Sequence, residues 1–98
     1  MITSGAYASN AVCTWTISRP GSPITLTFTS FLLETGYDFV SVFDGLSDSF
    51  PALGVLTGVQ VPSSVTSVSG AMHIKLMSDG SVSGAGFSAS YRTELFAG

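Results

Sequence analysis

The run "ITLTFT", Ile24 to Thr29, alternates an apolar side chain with a hydroxyl at every step. Successive side chains of a strand point to opposite faces, so Ile24, Leu26 and Phe28 share one face and Thr25, Thr27 and Thr29 the other. The same period returns along the chain. In "AVCTWTI", Cys13, Trp15 and Ile17 oppose Val12, Thr14 and Thr16, and in "DFVSVFDG", Val40 and Val42 oppose Phe39, Ser41 and Phe43. "AMHIKLM" turns Met72, Ile74 and Leu76 inward and His73 and Lys75 outward, and "GFSASYR" is expected to turn Phe87, Ala89 and Tyr91 inward. "PALGVLTG" and "VTSV" read as short strands on either side of the "VPSS" loop. Turn chemistry separates the runs: "RPGSP", the Asp44-Gly45 pair and "SDGSVSGAG". No segment sustains a 3.6-residue period. About seven short strands in one chain of 98 residues predict an all-β antiparallel sandwich, a single domain over 1–98.

Charge narrows the function. Only 9% of the residues are charged, with a net charge of -3, and the three cations Arg19, Lys75 and Arg92 are scattered. Nothing resembles the basic stripe that neutralises phosphates, so nucleic acid is not an expected partner. No apolar run reaches the roughly 18 to 20 residues that span a bilayer, so membrane insertion is not expected either. The single His73 and single Cys13 limit catalysis, because a nucleophilic triad needs a base beside its nucleophile and structural zinc usually needs four Cys or His ligands, and neither set is expected to assemble. His73 is read as a solvated side chain, Trp15 as core, and Cys13 as a small buried hydrophobe whose thiol is either free or bridged to another chain. No acid–base pair at catalytic spacing stands outside the acidic cluster described next, so the chain is not expected to be an enzyme.

Four of the six acidic residues, Glu34, Asp38, Asp44 and Asp48, crowd into "LLETGYDFVSVFDGLSD". Glu34 and Asp38 would stand about 13 Å apart in extended chain, and the Thr35-Gly36 step supplies the turn that closes this distance. Asp44 lies six residues beyond Asp38 along one strand, roughly 20 Å away, so it belongs to the opposite end, where it serves the Asp-Gly turn. Asp48 is read as a solvated loop carboxylate. A third acid for the first group comes from "MSDGSVSG": if the strand before it runs antiparallel to Phe39–Phe43, Asp79 arrives at the same edge. Three converging carboxylates repel unless one takes up a proton or a cation compensates them. Calcium, with an all-oxygen shell completed by backbone carbonyls of Ser81 or Val82, suits the set.

These residues also carry a family resemblance. "CTWTI", "ITLTFTSFLLETGYDFVSVFDG", "PALGVLTG" and "SDGSVSGAGFSASY", in that order from Tyr7 to Tyr91, resemble a CUB domain. The resemblance implies a jelly-roll-like β-sandwich of two antiparallel sheets, from a secreted, usually multidomain protein, that acts in recognition and not in catalysis. It places a calcium ion on Glu34, Asp38 and Asp79, gives Tyr7 a role in supporting Glu34, and implies that a Lys or Arg of a protein partner reaches the acidic cluster. The family's opening strand, with its cysteine partner for Cys13, is expected to be missing. A second cysteine pair is replaced by residues near Gly36 and Thr57. Two other readings stand beside the calcium-dependent protein-binding module. One is a carbohydrate-binding module using aromatics such as Tyr37 and Phe39; the other is a structural or oligomerising domain of a larger secreted protein.

Overall fold

A computed structural model of the chain describes residues 2–3, 10–33, 36–79 and 86–93. Among these residues eight strands follow one another: β1 (Ile2–Thr3), β2 (Val12–Ser18), β3 (Ile24–Leu32), β4 (Phe39–Phe43), β5 (Ala52–Leu56), β6 (Val65–Ser67), β7 (Ala71–Met77) and β8 (Gly86–Thr93). They form two four-stranded antiparallel sheets, one ordered β1-β8-β3-β6 and the other β2-β7-β4-β5. The short first strand corrects the expectation that an opening strand is missing. Ile2 and Thr3 pair with Ala89 and Ser88 ahead of Cys13, although this strand carries no cysteine.

The period-two faces become the two inner walls. Ile24, Leu26, Phe28, Phe31, Phe87 and Ala89 line one wall, and Ile17, Val40, Val42, Met72, Ile74 and Leu76 the other, all buried. Burying each large side chain contributes on the order of 1.5–3 kcal/mol before chain entropy is counted. Edge-to-face aromatic contacts order the middle: Phe28 meets Phe31 at 5.5 Å and 89°, and Trp15 meets Phe87 at 5.3 Å and 79°. Trp15 thus packs on the core as expected, and Cys13 does the same while only half-buried.

Two departures from strict alternation have local causes. Between Phe28 and Ser30 the β3–β8 ladder shifts register, and the extra residue lets both Phe28 and Phe31 face inward with Thr29 and Ser30 outside. Tyr91, expected inside, is 44% exposed. Its neighbour β1 pairs β8 only at Ser88 and Ala89, so beyond that point, among the described residues, β8 is paired on one side only, by β3. His73 is half-buried rather than freely solvated, with its Nδ1 2.9 Å from Thr16 Oγ1 and its ring 6.1 Å from that of Phe43.

Candidate functional site

The pairing of β4 with β7 sets Phe39 opposite Met77 and Phe43 opposite His73. Residues just before β4 and just after β7 therefore meet at one end of the sandwich. There the backbone N–H of Asp79 donates to Asp38 Oδ1 at 3.0 Å, and Asp38 is fully buried. Burial of a carboxylate is costly unless hydrogen bonds or a cation compensate it. The chain's Lys and Arg residues are placed elsewhere. Lys75 bonds Asp48, Arg19 follows the far end of β2, and Arg92 lies opposite Thr25 toward the far end of β3.

Short bonds fix the surrounding chain. Asn10, with φ 58°, donates its N–H to the Asp79 carbonyl at 2.7 Å, and the Ala11 N–H donates to Ser78 Oγ at 2.7 Å. On the other side Gly36, at φ 80°, makes the turn that precedes Asp38. The Gly36 N–H donates to Thr57 Oγ1 at 3.0 Å, and the Thr57 hydroxyl donates to the Asp38 carbonyl at 2.7 Å. A threonine hydroxyl thus ties the two segments where the resemblance implied a cysteine pair. The Leu33 N–H reaches the Gly58 carbonyl at 2.9 Å, so the chain is anchored at this end on both sides of residues 34 and 35.

Of the residues singled out from the sequence, Asp38 and Asp79 come together. Tyr37, 63% exposed, stands beside them on the outer surface. Glu34, Tyr7, Ser81 and Val82 lie outside the described residues. Among the described residues no three His, Cys, Asp or Glu side chains converge as a metal-holding group. The donor chemistry at this end is nonetheless all oxygen, from carboxylates, hydroxyl and backbone carbonyls, which is the set a hard divalent cation takes. Sequence reasoning singled out Thr57 only as a replaced cysteine position and did not single out Ser78 or Asn10. The signal for Asn10 was its tolerance of the left-handed region ahead of a strand.

The other two acids of the cluster sit apart from this end. Asp44 does not simply serve an Asp-Gly turn. Its N–H donates to the Pro51 carbonyl at 2.9 Å, and its Oδ1 accepts from the hydroxyls of Ser67 at 2.5 Å and Ser69 at 2.6 Å. The Ser67 hydroxyl, then that of Ser69, hold the Asp44 carboxyl below its ordinary range against a smaller opposing effect of burial. Asp48 is ion-paired with Lys75 at 3.0 Å, which lowers its pKa as well.

Two antiparallel sheets closed over one core, with Asp38 and Asp79 meeting at one end, define a β-sandwich module. The CUB domain family model matches residues 3–91, and the chain belongs to that family of protein-interaction modules. It is 40% identical over 93 residues to mouse Tolloid-like protein 1, covering 90% of this chain and 9% of that protein. It is 42% identical over 89 residues to rat cubilin, covering 87% of this chain and 2% of that protein. Among solved structures, the MASP-1 CUB2 domain bound to Ca2+ superposes with a TM-score of 0.81 at 27% identity, covering 93% of this chain and 88% of that one. The chain thus spans less than a tenth of either curated relative. These relatives are extracellular proteins.

Proposed function

We propose that this chain is a recognition module whose Asp38/Asp79 end binds one calcium ion and, through it, presents an acidic surface to a basic side chain of a protein partner. The observation that carries the reading is the buried Asp38 carboxylate bonded by the N–H of a second aspartate, Asp79, across two strands. On this reading Glu34 joins the two aspartates, carbonyl oxygens of Ser81 or Val82 complete the shell, and Tyr7 supports Glu34. Calcium supplies the compensating positive charge that lets several carboxylates stay ionised at one place. Three carboxylates against a dipositive ion leave about one negative charge for a partner's Lys or Arg. The Ca2+-bound MASP-1 CUB2 neighbour supports the reading by its close superposition. The setting is an exported multidomain protein.

Isothermal titration with calcium tests it directly. The wild-type domain should bind one ion per chain with a dissociation constant of about 10⁻⁴ to 10⁻³ M, the range of extracellular modules. Asp38→Asn, which keeps an acceptor for the Asp79 N–H but removes the charge, should fold and lose the heat of binding. Wild-type heat no larger than dilution at saturating calcium would remove the ion from the account.

A further inference from the structure

Next to the acidic end, the outer face of the β2-β7-β4-β5 sheet is apolar. Met77 lies opposite Val12 in one ladder and opposite Phe39 in the other, and one step along, Lys75 and Ser41 bring Val55 of β5 alongside. Val12 and Val55 are 60% exposed, Tyr37 63% and Met77 46%. Single exposed apolar residues are ordinary, but side chains joined across ladder positions make a patch that water wets poorly. Tyr37, Phe39, Val55 and Met77, with Ser41, Ser78 and Asp79, line an open groove of about 380 Å³. Beyond Ser41 on the same face Lys75 is held by Asp48, so Asp79 is the acid that lines the groove.

We propose that this groove takes an apolar side chain of the same partner segment whose basic side chain meets the acidic end, the two separated by one residue in extended chain. The proposal rests on the reading of the acidic end given above and adds the groove's preference to it. Its spacing follows from strand geometry. Asp79 is two residues beyond Met77, about 7 Å along the strand direction, and side chains i and i+2 of an extended peptide lie about 7 Å apart on one face. A lysine and a leucine with one residue between them therefore reach the acid and the groove together. Adjacent residues point to opposite faces and cannot.

The test is a titration of the isotopically labelled domain in calcium, followed by amide and methyl chemical shifts. Three blocked peptides are compared, with the cores Lys-Ser-Leu, Lys-Ser-Ser and Lys-Leu-Ser. The first should bind about tenfold more tightly than the second, as one buried aliphatic side chain implies. It should move the Tyr37, Val55 and Met77 signals, and the third should gain little. Val55→Ser, at an exposed position of an edge strand, should keep the melting temperature and erase the leucine gain. Equal affinity for the first two peptides, or no binding of any peptide at about 10 mM, overturns the groove whatever calorimetry says of calcium. A leucine gain that persists in EDTA supports the groove and overturns the calcium reading beneath it.

Discussion

Strand β4 carries an aspartate at each end, and the two ends have solved the same problem differently. Asp44 is met by two serine hydroxyls of the β6–β7 connection, and its charge is spent inside the fold. Asp38 is buried more completely and receives the backbone N–H of another aspartate, Asp79. The first arrangement is a staple that gains nothing from an ion. The second leaves the Asp79 side chain out of the bond, and it is the contact on which the proposed cation site rests. An acid's role in such a sandwich is decided by what the opposite strand brings to it.

The largest effect that sharpens this contrast is expected from Asp38→Ala. In EDTA the loss of a buried charged acceptor should cost about 2 kcal/mol. In calcium the deficit should grow by a further 1–2 kcal/mol as ion binding is lost as well. Chemical denaturation with and without calcium measures both, and a deficit independent of calcium would make Asp38 a second staple like Asp44.

Asp44→Ala should cost about 1.5 kcal/mol, the low end for hydroxyl bonds to a charged acceptor at a partly buried site, and the cost should be the same in EDTA. Its pH dependence has a defined sign. The folded carboxyl titrates below its unfolded value, so its contribution is present above about pH 4 and fades as pH falls through the folded value. The gap in melting temperature between wild type and Asp44→Asn should therefore close on acidification from about pH 5. A gap that widens would reverse the assignment of the serines.

The smallest effect belongs to Asp48→Asn. Its ion pair with Lys75 is solvent-exposed, Asp48 at 54%, and salt screens such pairs. The melting temperature should barely move, and raising the salt should remove what difference there is.

Much of this architecture was legible because side-chain parity is local. Met72, Ile74 and Leu76 could be assigned to the core from alternation alone, whereas for Val40 and Val42 alternation gave a shared face but not its side, because Phe39 and Phe43 opposite them are apolar too; the antiparallel run of β7 against β4 brings the Asp79 backbone to Asp38. What escaped depends on partners remote in sequence. The bulge after Phe28 rescues Phe31 for the core because β8 offers Phe87 there, and no feature of "FTSF" by itself announces the extra residue. Tyr91 follows the inward parity of Phe87 and Ala89, but parity does not say where β1 stops covering the edge. Ser67 and Ser69 sit in a loop whose hydroxyls look like surface polarity until β4 delivers Asp44 to them. At the acidic end, the turn at Gly36 and the meeting of the segments that carry Asp38 and Asp79 were readable, whereas Thr57's double bond to Gly36 and Asp38 depends on how β5 pairs with β4.

Thermal melting of the wild-type domain and of Asp79→Ala, each in about 5 mM calcium and in EDTA, asks whether an ion binds at the Asp38/Asp79 end. Binding in the range of extracellular calcium modules should stabilise the wild type by about 1–2 kcal/mol and raise its melting temperature by about 5–10 °C. Asp79→Ala keeps the backbone N–H that reaches Asp38 and should show no rise with calcium over its own value in EDTA. Wild-type curves that coincide in calcium and EDTA would contradict the account and leave Asp38 and Asp79 as a structural contact.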